Sequence, residues 1–145
     1  MPRKFSLEYI DRLLTQATYV DLAHLSSAIG SSAQYQSASP DYGLPQPAFL
    51  FAETLHWFAQ SIRSGAWTYY EATSQARQDA MLAALRKAAP EEFASWYEQG
   101  MRDWRDETKI ATVDDWIEAN DERANEWLRE LARVHRDVLL DLTAT

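Results

Sequence analysis

The sequence predicts an all-α fold, a single domain built as a bundle of five to six helices. Apolar residues recur at intervals of three and four along most of the chain, which is the period of an amphipathic helix. No segment shows the strand-like alternation of apolar and polar residues between turns. With 145 residues, of which 46% are hydrophobic, the chain is long enough to bury a core in one domain.

The first predicted helix begins after Ser6, whose hydroxyl suits an N-cap, and it runs to Ile29 with Gly30 as its stop. Its apolar series is Leu7, Ile10, Leu13, Leu14, Ala17 and Val20. The next segment, 30–47, is rich in Ser, Gly and Pro and predicts a long flexible loop. A loop of this length is unusual in a compact domain, so it indicates function or mobility.

Two further helices are predicted before Pro90. The second covers Ala48 to Arg63, and Gly65 after it suits a left-handed cap. Its apolar stripe is Phe51, Leu55, Phe58 and Ile62. The third covers residues 74–89 and ends at Pro90, with an inward face of Ala80, Met81, Ala84, Leu85 and Ala88.

The remaining helices carry most of the acidic side chains. The fourth starts at Pro90, and its apolar face is Phe93, Trp96, Tyr97, Met101 and Trp104. Thr112 is predicted to cap the last helix, which places Asp114 and Asp115 in its first turn. Polar Asn120 and Asp121 interrupt the apolar series that follows, so residues 112–142 form either one long helix or two.

The net charge of −8 is concentrated in one part of the chain. Residues 1–90 hold seven acidic and seven basic side chains, whereas residues 91–145 hold 15 acidic and seven basic ones. Such an acidic segment repels nucleic-acid phosphates and favours a cationic partner. A solvated surface that keeps the protein in solution is the simpler interpretation of the same charge.

Composition excludes several classes of protein. There are no cysteines, so disulfides, thiolate metal sites and a cysteine nucleophile are excluded.

Residues 1–6 are not followed by an apolar run, so no signal peptide is expected, and no segment approaches the roughly 18 apolar residues of a membrane span. The expected location is the cytoplasm of a bacterium.

Two acid and histidine pairs raise the alternative of a metal-binding helical bundle. Asp21 precedes His24 by three residues, and Glu53 precedes His56 in the same way, so each pair lies on one helix face. Two such pairs facing each other resemble a di-iron carboxylate site, although the Asp has a shorter reach than the usual Glu. A chain with 22 acids gives such pairs by chance, and no cofactor is expected.

The stretch "HWFAQSIRSGAWTYYEAT", residues 56–73, is the densest group of aromatic side chains. As an active site it would offer a histidine and two phenols, but no nucleophile motif is present and Ser64 has no evident base. As a helix–turn–helix corner it would bury Trp57 and Phe58 and turn at Gly65. Core packing is the favoured interpretation, and the chain is not expected to be an enzyme.

Several segments resemble a bacterial family of acidic, all-helical proteins that includes a DNA mimic, with some members found beside toxins. The similar residues are Phe58-Ala-Gln60 followed by Gly65, the Ala84-Leu85 helix, and the closing segment "VDDWIEANDERANEWLRELARVHRDVLL". The resemblance covers roughly residues 50–140. It implies a binding protein that presents acidic side chains to a basic surface and performs no catalysis.

The predicted function is therefore a non-catalytic module that docks on a basic patch of a partner protein. The first candidate is an immunity protein that neutralises a toxin, and the alternative is a DNA-mimic regulator that binds a DNA-binding protein. Charge-assisted bonds from Arg and Lys to carboxylates are strong, and exposed tryptophans would anchor the contact. The predicted contact residues are Asp103, Asp106, Glu107, Asp114, Asp115, Glu118, Asp121, Glu122, Glu126 and Glu130, with Trp104 and Trp116.

Other hypotheses stay open beside docking and the metal site. The tryptophan-bearing faces would also suit a homo-oligomer, for example a homodimer. A small-ligand pocket under the aromatic corner is the last of them. Direct binding to nucleic acid or to a membrane is not expected.

Overall fold

The computed structural model describes Glu8 and residues 19–143, and every element in that part of the chain is a helix. The predicted all-α class is confirmed. The described residues form eight helices, so the predicted count of five to six is too low. They are α1 (Tyr19–Gly30), α2 (Gln46–Ser64), α3 (Ala66–Ala72), α4 (Gln75–Ala88), α5 (Glu91–Asp103), α6 (Glu107–Ala119), α7 (Asp121–Val134) and α8 (Arg136–Thr143). None of them is long and apolar enough to cross a membrane.

The start of the first predicted helix, at Ser6, lies outside the described residues, and α1 ends at Gly30. The flexible loop expected over 30–47 stays a prediction. Residues 31–45 join α1 to α2 through successive turns, in which the backbone N–H of Gln36 donates to the Tyr42 carbonyl oxygen at 2.7 Å. Tyr42 then reaches helix α2, because its hydroxyl donates to Glu53 Oε1 at 2.6 Å.

The chain divides into two compact units, one of residues 1–55 and 122–145 and the other of residues 56–121. We call them the first and the second unit; the expectation of a single domain stays a prediction. In the first unit α1 packs against α8. The buried apolar side chains of these two helices include Leu22, Leu25, Ile29, Leu139 and Leu142.

The second unit has an aromatic core. Helix α5 packs against α4 and α6, and the short α3 packs against α5 and α6. Trp57 is fully buried, with its ring centroid 5.0 Å from those of Phe58 and Tyr97 and 6.1 Å from that of Trp116. Phe93 and Trp116 contact each other edge to face at 5.5 Å. Stacked and edge-to-face pairs at these distances are the favoured aromatic geometries.

Local signals set most helix ends in the second unit. Ser74 caps α4 by accepting the backbone N–H of Arg77, so the helix lies within the predicted range 74–89, and Pro90 precedes α5. Gly65 has φ +94°, a conformation that L side chains rarely adopt. It separates α2 from α3, a helix that the sequence did not predict because only seven residues lie between Gly65 and Thr73.

The predicted start at Thr112 is wrong. Asp106 caps α6 six residues earlier than expected, since its Oδ1 accepts the N–H groups of Thr108 and Lys109 at 3.0 Å each. An aspartate is at least as good an N-cap as a threonine, and Thr112 lies inside α6. Asp114 and Asp115 are therefore in the second half of a helix, away from its positive end. Residues 107–143 form three helices, not one or two.

Candidate protein-binding site

The aromatic corner proves to be core. Tyr69, Tyr70 and Tyr97 are buried, with the hydroxyls of Tyr69 and Tyr97 2.8 Å apart. Tyr70 donates its hydroxyl to the Tyr97 carbonyl oxygen at 3.0 Å. Burial raises the pKa of Tyr70 well above its ordinary value, and the neighbouring Tyr97 raises it further. The Tyr70 hydroxyl therefore keeps its proton at neutral pH and serves as a structural donor.

The acid and histidine pairs are not assembled into a metal site. Glu53 is buried and accepts the hydroxyl of Tyr42. His56 is exposed, and its ring packs against Tyr69 at 5.6 Å. Within the described residues, no group of three or more His, Cys, Asp or Glu side chains is arranged to hold a metal ion. Asp21, His24, Glu53 and His56 thus do not form the predicted cluster there.

Two of the predicted docking carboxylates have structural partners. Asp106 is occupied as the N-cap of α6. Asp114 is half-buried, and its Oδ1 accepts the backbone N–H of Ala66 at 2.7 Å. The first N–H groups of a helix have no partner within the helix, so Asp114 supplies one for α3. One oxygen of each carboxylate is therefore already engaged within the protein.

Asp114→Ala is expected to reduce the free energy of unfolding by about 1 kcal/mol, the usual effect of removing a capping side chain. Asp115→Ala is the matched control, because it removes the adjacent, exposed carboxylate and should change stability by less than about 0.5 kcal/mol. Urea denaturation of both variants measures the difference. Equal losses in the two variants would contradict the capping role.

Three more of the predicted acids are partly covered or paired. Asp103 lies with an oxygen 3.7 Å from Arg102 Nε, and only 16% of its side chain is exposed. Glu130 accepts two hydrogen bonds from Arg133, at 3.0 and 2.5 Å. Hydrogen bonding to Arg133 lowers the pKa of Glu130 below its ordinary value. Asp121 is half-buried. These side chains are less available to a partner than open carboxylates.

The remaining acids are exposed. On α6 they are Glu107, Asp115 and Glu118, which we call the α6 acidic stripe, because intervals of eight and three residues place them on one helix face. No ion pair in the described part of the chain involves them. On α7 they are Glu122 and Glu126, one turn apart. The stripe belongs to the second unit and the α7 pair to the first.

An exposed groove lies at the N-terminal end of the stripe. Its volume is about 380 Å³, and Trp67, Trp104, Arg105, Glu107 and Ile110 line it; we call it the tryptophan groove. The Arg105 guanidinium carbon lies 4.1 Å from the centroid of the Trp104 ring. Trp67 is 45% exposed, an unusual state for so large an apolar side chain.

The aromatic anchors differ from those predicted. Trp104 is half-exposed and lines the groove. The expectation that Trp116 is exposed is wrong: it is buried, because its ring stacks on Trp96 at 5.7 Å and contacts the aromatic core. Trp67 belongs to the same aromatic stretch, 56–73, yet it is exposed, unlike Trp57, Tyr69 and Tyr70. The only local signal for this was its position two residues after Gly65, where the chain turns.

No family model, curated protein or solved structure matches this chain. Membership in the family of acidic DNA mimics stays a prediction. The functional assignment therefore depends on the geometry of the exposed acidic and aromatic side chains.

Proposed function

We propose that this protein is a non-catalytic binding module that docks on a basic surface of a partner protein. The observation that carries the proposal is the α6 acidic stripe, three exposed carboxylates on one helix face beside a groove with two tryptophans. In this proposal the first candidate function is that of an immunity protein that neutralises a toxin.

The physical basis is the state of the stripe carboxylates. They have no intramolecular cation in the described part of the chain, so a partner's arginines and lysines meet no competing internal pair. Charge-assisted bonds to carboxylates give orientation and strength. The net charge of −8 adds a long-range attraction that speeds encounter with a basic protein.

DNA mimicry is the second candidate, and the common helix face of the stripe favours it. The carboxylates are about 12 and 4.5 Å apart along the helix axis, taking a rise of 1.5 Å per residue. Phosphates on one DNA strand recur evenly, at about 3.4 Å along the duplex axis. Because the stripe lacks this regularity, we place toxin neutralisation first.

Simultaneous reversal of the stripe, with Glu107→Lys, Asp115→Lys and Glu118→Lys, is expected to weaken partner binding by roughly 1–3 kcal/mol. The partner to test first is the purified product of the gene beside the one that encodes this chain. Association of the unaltered protein should slow as salt rises beyond the concentration at which the Debye length is about 8 Å. Thermal melting of the triple variant separates loss of binding from loss of folding.

The matched control is Glu91→Lys, Asp137→Lys and Asp141→Lys, which changes the net charge equally with exposed residues that are not among the predicted contact residues. It should preserve most of the affinity. An equal loss in both triple variants would show that net charge acts and not the stripe. Duplex DNA added as a competitor distinguishes the candidates, because it should displace this protein from a DNA-binding partner and not from a toxin with a different target.

A further inference from the structure

We propose that the tryptophan groove binds one arginine side chain of the partner, stacked on the exposed ring of Trp67 with its charge toward Glu107. The inference deepens the proposed function and rests on it, because it assumes that the natural partner is basic. It assigns the groove as the place where the partner's anchor residue enters.

Trp67 is exposed on one side and packs on the backbone on the other. A Cβ atom at Gly65 would lie 3.1 Å from Trp67 Cδ1 and 3.2 Å from its Nε1, so the indole packs directly on the glycine. Two residues hold the turn: the Thr68 hydroxyl donates to the Gly65 carbonyl oxygen at 2.6 Å, and Gln60 Nε2 donates to Thr68 Oγ1 at 3.0 Å. One side of the indole is thus packed on the chain while nearly half of the side chain faces water, so an exposed aromatic surface is available for contact.

The groove already accommodates a guanidinium group. Arg105 lies over the ring of Trp104 at 4.1 Å, within the distance of a cation–π contact. The ring of Trp67 belongs to the same groove, and the exposed carboxylate of Glu107 lines it as well. The groove therefore offers one tryptophan that is covered by an internal arginine, one that is open, and a carboxylate to meet a second cation.

The chemistry favours arginine over lysine as the ligand. A guanidinium is planar, stacks on aromatic rings and is less strongly hydrated than an ammonium, and it also donates in a fork that suits a carboxylate. The positive charge of Arg105 opposes entry of a second cation. Removing the charge of Arg105 should therefore strengthen binding of the arginine ligand. Loss of Trp67 or Glu107 should weaken it.

The test uses the full chain with ¹⁵N-labelled tryptophan and an acetylated, amidated tetra-arginine peptide as the probe. The indole N–H signal of Trp67, identified by its absence in Trp67→Leu, should shift and saturate. Trp67→Leu should raise the Kd for the peptide about two- to fivefold, the size of an exposed cation–π contact. Glu107→Gln should raise it about twofold, and Arg105→Gln should lower it. A tetra-lysine peptide should bind more weakly.

The controls separate stacking from general attraction. A tetra-citrulline peptide has the same shape without the charge and should give no saturable shift. Asp137→Asn, an exposed carboxylate on α8, should leave the Kd unchanged. Equal binding of the citrulline peptide, no saturable shift with tetra-arginine, or an unchanged Kd in Trp67→Leu would each overturn the inference.

The two proposals fail separately. If the α6 reversal weakens partner binding but Trp67→Leu leaves the peptide Kd unchanged, the arginine site is wrong and the docking surface stands. If the peptide binds at Trp67 while the α6 reversal leaves partner binding intact, the proposed function is wrong and the groove keeps its preference for a cation.

Discussion

Replacing Trp57 with alanine is expected to lower the free energy of unfolding by about 3–5 kcal/mol, the usual range for a large aromatic residue removed from a core. Trp57 is fully buried, and its ring contacts Phe58, Tyr97 and Trp116 at centroid distances of 5.0–6.1 Å. The alanine would leave a cavity beside the rings of Phe58, Tyr97 and Trp116, which could fill it only by losing other contacts. Urea denaturation monitored by circular dichroism measures the loss.

Trp67→Ala is the control, because it makes the same chemical change in the same unit. With 45% of Trp67 already in water, the expected loss is about half or less of that for Trp57. The opposite result would be informative. If Trp57→Ala kept its stability and abolished partner binding, Trp57 would belong to a functional site and the aromatic corner would not be core.

Gly100→Ala is expected to destabilise the protein by about 1–3 kcal/mol through overpacking. Gly100 lies inside α5, where alanine would otherwise be favoured by up to about 1 kcal/mol through helix propensity. Its Cβ, however, would lie 2.2 Å from Cζ and Oη of Tyr70. The Tyr70 ring is buried, and its hydroxyl donates to the Tyr97 carbonyl oxygen, so the ring can move only by losing that hydrogen bond.

Two comparisons isolate the clash from the general effect of the substitution. Gly30→Ala places a methyl group at the end of α1, where it meets no atom within 4 Å apart from those of its neighbours in the chain and of its own helix backbone. It should change stability by less than about 0.5 kcal/mol. In a Tyr70→Leu background, Gly100→Ala should cost less than in the natural sequence, because residues in contact couple. An equal cost in both backgrounds would mean that Tyr70 is not what makes glycine necessary.

Both expectations concern the core that holds the candidate binding surface in place. Helix α3 carries Trp67 and packs against α6, which carries the acidic stripe. Loss of core packing would therefore disturb binding indirectly. For this reason, each binding variant has to be judged together with its melting temperature.

The sequence alone determined the all-α class and several helix boundaries. The period of three and four residues predicts helices because it aligns apolar side chains on one face of a single element. Helix α1 ends at the predicted residue, Gly30. Ser74 marks the start of α4 through its hydroxyl, and Pro90 marks the start of α5 because its ring fixes its own backbone and removes an N–H. Such signals involve partners within about four residues in the chain, so they can be read from the order of residues.

The tertiary structure decided which side chains remain available to a partner. Asp114 and Asp115 are adjacent and chemically identical, yet Asp114 bonds Ala66, a residue 48 positions away, while Asp115 is exposed. Trp116 and Trp67 likewise differ in burial, although both stand in apolar patterns. Burial and pairing depend on contacts between residues far apart in the chain. The acidic charge can therefore be read from the sequence. The exposed α6 acidic stripe and the tryptophan groove depend on the packing of α3 against α6, which the sequence does not show.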